Sequence, residues 1–110
     1  MKPRSAKNKG YRMECIVRDK IREKGFYCHR TDGSGSGVER GDLIGTFPLS
    51  IEVKNQKRYK IQDWIRQAKQ QGENWGLVFR NPETPESNPE LYILMDFNWF
   101  LDNEIFISLV

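Results

Sequence analysis

No apolar run in this 110-residue chain approaches the roughly 20 residues that cross a bilayer, so a helical membrane span is not expected. Cysteine and histidine are scarce. Cys15 and Cys28 lack the CxxC spacing of a zinc or redox site, and His29 is the only histidine, so a zinc cage and histidine-based catalysis are both poorly supplied. Two thiols in such a chain are expected free and reduced, and the compartment cytoplasmic. The first residues, Met1 to Lys7, carry charge with no apolar segment behind them, so no secretory leader is expected. Positive charge is missing altogether from residues 81–110, which hold six acids and no base. All 18 Lys and Arg lie in residues 1–80 against nine acids, so a net charge of +3 divides into +9 and −6. A solvated helix face accounts for part of such a run; the asymmetry points to a polyanionic partner for the first part. With 37% hydrophobic and 30% charged residues and no internal repeat, the chain is one domain that folds without staples.

The informative feature is an acid ten positions ahead of an acid-x-base triplet. Asp42 opens Gly41-Asp42-Leu43-Ile44-Gly45, and Ile51-Glu52-Val53-Lys54 follows. Leu43-Ile44 and Leu49 to Val53 read as strands, and Gly45-Thr46-Phe47-Pro48 as the turn between them. A hairpin symmetric about Phe47 sets Asp42 opposite Glu52, with Cβ atoms roughly 5 Å apart. The two-residue period then puts Lys54 on the face of Glu52 and turns Val53 into the core. Two facing carboxylates repel unless a cation stands between them, and hard oxygen donors suit Mg²⁺ or Mn²⁺. The plainer reading is a solvated strand face with a salt bridge. Against it, Asp42 stands at the start of an apolar strand, Ile51 and Val53 flank the acid of the triplet, and a lysine-rich segment follows at once.

Residues 1–10 read as a basic flexible arm and 11–110 as the folded domain. From about Tyr11 to Lys24 the apolar residues Met13, Ile16, Val17 and Ile21 form one helical stripe, which Gly25 ends. Glu14 borders that stripe, where an acid is costly unless paired or metal-linked; the plainer reading is a surface pair with Arg18. Phe26 to Arg30 reads as a first strand, with His29 structural. Asp32 to Gly37 is a glycine-serine loop with no phosphate-loop lysine after it. Ile61, Trp64, Ile65 and Ala68 mark a second helix that ends at Gly72, with Arg66, Gln67, Lys69, Gln70 and Gln71 on its other faces as donors to phosphate. Trp75–Arg80 is a fourth strand, 81–90 a proline-containing loop and Leu91–Met95 a fifth strand. Asp96 or Asn98 caps a short helix through Trp99, Phe100 and Leu101, and an apolar tail follows from Ile105. The aromatic residues there read as a lid over the sheet or as a dimer contact.

The chain resembles the PD-(D/E)XK nuclease superfamily, the restriction-endonuclease-like fold. Gly10-Tyr11-Arg12-Met13-Glu14, Gly25-Phe26, Arg30, Gly33-Ser34, Asp42 and Glu52-Val53-Lys54 follow the order seen in archaeal-type Holliday junction resolvases, over most of residues 10–70. The acid before the hairpin stands in Gly-Asp, without the proline of the superfamily's name. The resemblance implies an αβββαββ core with a mixed central sheet flanked by helices, and a Mg²⁺- or Mn²⁺-dependent endonuclease. It implies Asp42, Glu52, the Val53 carbonyl and Glu14 as metal ligands, with Lys54 acting on the attacking water. Ser34, or Ser36, would assist cleavage. Arg30, Lys57, Arg58, Lys60, Arg66, Gln67, Lys7, Lys9 and Arg12 are the expected DNA contacts. The expected partners are branched DNA, such as a four-way junction, and a second copy of the chain. A structure-insensitive DNA nuclease of the same fold, or a noncatalytic nucleic-acid-binding module, remains the alternative.

Overall fold

A computed structural model describes residues 6–31 and 42–103, with side chains from Lys9 onward in the first segment. Helix α1 (Ala6–Glu23) is followed by strands β1 (Cys28–Arg30), β2 (Leu43–Gly45) and β3 (Ser50–Lys54). Then come helix α2 (Ile61–Lys69), strands β4 (Trp75–Arg80) and β5 (Leu91–Met95), and helix α3 (Phe97–Asp102). The strands form one five-stranded mixed sheet in the order β1-β2-β3-β4-β5. β3 and β4 are parallel and the other neighbours antiparallel. A parallel pair needs a long crossover, and α2 supplies it.

Alternation along the strands divides the core in two. Ile51, Val53, Leu43 and Val78 face α1, where they pack on Met13 and Val17. Leu77 and Trp75 meet Trp64 and Ala68 of α2 on the opposite face. Helices thus flank the sheet on both sides. Met13 is 1% exposed, as the 3.6-residue stripe requires of its central member. Gly25, at φ +94°, ends α1 in the left-handed region, and its N–H donates to the Arg22 carbonyl at 2.9 Å. Gly45 is needed for another reason: a Cβ there would collide with the Tyr27 carbonyl of β1's approach.

The hairpin register is the expected one, with Leu43 opposite Ile51. β4 and β5 have the expected bounds. α1 begins five residues earlier than the apolar stripe indicates, at Ala6, so residues 6–10 belong to the helix instead of an arm. β1 is two residues shorter than the run Phe26–Arg30. At its start Tyr27 N–H donates to Thr46 Oγ1 at 2.8 Å and Thr46 N–H returns to the Tyr27 carbonyl at 2.9 Å, so a side chain takes part where a strand ladder would be wholly backbone. Of the two candidate caps of α3, Asp96 is the one used, accepting from Trp99 N–H at 2.9 Å. No helix among the described residues is long and apolar enough to cross a membrane.

Candidate functional site

The strand registers bring Arg30, Asp42, Lys54 and Arg80 to one end of the sheet. Asp42 precedes β2 and is fixed by backbone on both sides. Its N–H donates to the Ile51 carbonyl at 3.0 Å, and its Oδ2 accepts from Val53 N–H at 2.8 Å. Glu52 and Lys54 project together on the α2 face. Lys54 Nζ lies 3.8 Å from Glu52 Oε1, and their side chains are only 18% and 13% exposed. Two amides, Gln67 on α2 and Gln71 in the turn just past its end, steady them. Gln71 Nε2 donates to Glu52 Oε2 at 3.3 Å, and Gln67 Oε1 accepts from Lys54 Nζ. Glu14 reaches the same end from α1, where Arg30 Nε donates to its Oε1 at 3.0 Å while the guanidinium stacks 4.2 Å above the Tyr11 ring.

The electrostatics identify these groups as one cluster. Burial, then repulsion from Asp42 and from Glu14, pushes the Glu52 carboxyl up to about 7, against the opposing pull of Lys54 and the Gln71 hydrogen bond. Asp42 is raised by burial in spite of the Val53 N–H, Lys54 and Arg30. Glu14 is raised by burial and by Asp42, with Arg30 opposing. The available cations therefore compensate the three carboxylates only in part. The donor set fits a hard divalent cation, because Asp42 and Glu52 offer oxygen only and share an uncompensated negative charge. Among the described residues, no three His, Cys, Asp or Glu side chains close into a metal cage. Asp42 and Glu52 are the pair available to a cation, while Glu14 is held in its pair with Arg30.

The other expected residues divide by location. Glu14 does not pair with Arg18, whose Nε donates instead to Asp19 at 3.0 Å. Arg30, expected on phosphate, is engaged by Glu14 and Tyr11. Lys57, Arg58 and Lys60 are exposed on the link from β3 to α2, beside Lys54. Arg66 pairs with Asp63 one turn away, and Gln67 is turned to Lys54. Lys9 and Arg12 lie on α1 near Glu86. The side chain of Lys7 and both Ser34 and Ser36 fall outside the described residues. The role of Gln71 was not separable in the sequence from those of its amide neighbours, although its i, i+4 spacing from Gln67 matches two residues that serve one strand face. Arg80, read only as a strand end, is a buried charge. The chain matches no family model, no curated protein and no solved structure.

Proposed function

We propose that this chain is a divalent-metal-dependent endonuclease that hydrolyses DNA phosphodiester bonds, selective for branched DNA as in the resolvases it resembles. One observation carries the reading: Asp42 and Glu52, both pushed toward their protonated forms, meet beside Lys54 in a sheltered sheet end. Asp42 and Glu52, with the Val53 carbonyl, would hold Mg²⁺ or Mn²⁺, and Glu14 would contribute if released by Arg30. The bound cation would polarise the scissile phosphate and make water a better nucleophile at neutral pH. Lys54, steadied by Gln67, holds the attacking water and donates to the phosphate oxygens as their negative charge grows. Gln71 keeps Glu52 turned toward Asp42. The exposed Lys57, Arg58 and Lys60 hold the DNA backbone without reading its sequence.

The remaining parts of the reading follow from symmetry and surface. A four-way junction offers two symmetry-related strands, so paired incision needs two copies of a domain that has one site. β5 exposes Tyr92 on one face of the sheet and Ile93 on the other, and α3 exposes Phe97, Phe100 and Leu101, apolar groups available to that contact, while Trp99 packs inward as a lid. The setting of such an enzyme is the DNA-containing interior of a cell. A noncatalytic DNA-binding module is favoured by one observation, the engagement of Glu14 by Arg30. Calorimetric titration with Mg²⁺ separates the two. The nuclease binds the ion in wild type and loses it in Asp42→Asn, whereas a binding module shows no heat dependent on Asp42.

A further inference from the structure

On the α1 face of the same sheet end, four side chains converge on a single acid. The Glu86 carboxylate lies 3.7 Å from Lys9 Nζ, 3.7 Å from Arg12 Nη2 and 4.0 Å from Arg80 Nη2. It also accepts a 3.5 Å hydrogen bond from Asn55 Nδ2. Three cations against one carboxylate leave a surplus of positive charge. Every approach is long, since charge-assisted bonds close to about 2.7–2.9 Å. Arg80 makes the surplus costly. It is 4% exposed, and its Nε and Nη1 are spent on neutral oxygens, Asn55 Oδ1 at 2.7 Å and the Thr84 carbonyl. Among the described residues only Nη2 faces a counter-charge, and a buried cation is stabilised by an anion closer than that. Glu86 itself is half-exposed on the loop between Pro85 and Pro89, beside a cavity of about 160 Å³ lined by Arg12, Met13, Ile16 and Ser87.

We infer that Lys9, Arg12, Asn55 and Arg80 form a phosphate-binding cradle for a nucleic-acid backbone, in which the Glu86 carboxylate stands in for phosphate in the free protein. The identity of the occupant rests on the nuclease reading; the cradle itself does not. Asn55 directly follows Lys54, about 3.8 Å away along the chain, and neighbouring residues at a strand end point to opposite faces. A DNA strand draped over this end would therefore meet Lys54 on one face and the cradle on the other. The cradle would hold the backbone beside the scissile phosphate.

The test uses the full-length, isotope-labelled protein and two probes. Inorganic phosphate, which assumes nothing about nuclease activity, should shift the Asn55 side-chain amide and Arg80 Nε–H signals saturably. Glu86→Gln should bind phosphate roughly two- to fivefold more tightly, the scale of one half-exposed ion pair. Labelled duplex DNA in metal-free buffer should follow the same order, and Arg12→Gln should cancel the gain. Phosphate that moves neither signal overturns the cradle, and so does equal phosphate affinity in wild type and Glu86→Gln. If DNA is bound and cut while phosphate leaves both signals still, the cradle alone falls. Phosphate binding with no affinity for duplex or junction keeps the anion site and overturns its assignment to nucleic acid together with the nuclease reading.

Discussion

Glu52 keeps its proton up to about pH 7 because burial and Asp42 oppose its charge more than Lys54 and Gln71 support it. The folded state therefore holds a proton that the unfolded chain releases near its ordinary value of 4.5, and stability falls as pH rises between the two. Asp42 and Glu14, both raised, act in the same direction. The metal-free protein is expected to melt at a higher temperature at pH 5.5 than at pH 8, by scanning calorimetry in chelator. Glu52→Gln should flatten that dependence and raise the melting temperature at pH 8, because it removes the charge and keeps the shape. Excess Mg²⁺ should restore the wild-type melting temperature at pH 8 and leave Glu52→Gln nearly unmoved. A melting temperature that climbs with pH in chelator would mean that the carboxylates are compensated from within.

At the scale of elements, α2 connects packing to chemistry, for one face buries Trp64 and Ala68 while Gln67, and Gln71 in the turn that follows the helix, reach the strand beside it. Gln71→Ala should move the acid limb of the pH–rate profile upward, since the hydrogen bond it removes favours the charged form of Glu52. A merely structural Gln71 would change the rate without moving that limb. On the opposite face, Met13→Ala should cost about 2–5 kcal/mol by urea unfolding, since Met13 is 1% exposed and packs in one cluster with Val17, Leu43, Ile51 and Val53. Much of this layout was legible in the sequence. β4 is a largely apolar run between Asn74 and Asn81, β5 an apolar run between Pro89-Glu90 and Asp96, and the symmetry of the turn about Phe47 determined which residues of β2 and β3 face each other. The start of α1 was not legible, because the apolar stripe begins only at Met13 and nothing before it distinguishes a polar helical turn from an arm. Nor were the partners of Glu14 and Glu86. Arg30 is 16 residues from Glu14, and Glu86 meets Lys9, Arg12, Asn55 and Arg80 only once β4 has placed its loop beside α1.

Across the whole molecule, basic side chains gather at one end of the sheet, where the acids Glu83, Glu86 and Glu90 of the β4–β5 loop also lie. Lys54, Lys57, Arg58, Lys60 and Arg80 belong to the end that holds the carboxylate pair, whereas Glu73, Asp96 and Asp102, with Lys69, border a groove at the other end. DNA affinity should therefore weaken steeply with salt, and Lys57→Ala or Lys60→Ala should each lower the log–log slope on duplex by about 0.9 if each lysine meets one phosphate. Light scattering at micromolar concentration should give a dimer on four-way junction DNA. A monomer there would remove the resolvase reading and leave a simple nicking nuclease. The central claim, that Asp42, Glu52 and Lys54 perform metal-dependent hydrolysis, is tested most directly by cutting a labelled four-way junction with wild type and Glu52→Gln in Mg²⁺ and in chelator. Wild type should cut only with Mg²⁺, and Glu52→Gln should bind the junction yet cut at least about 100-fold more slowly, the scale of losing one group that stabilises the transition state. Cutting in chelator, or by Glu52→Gln at the wild-type rate, would contradict it.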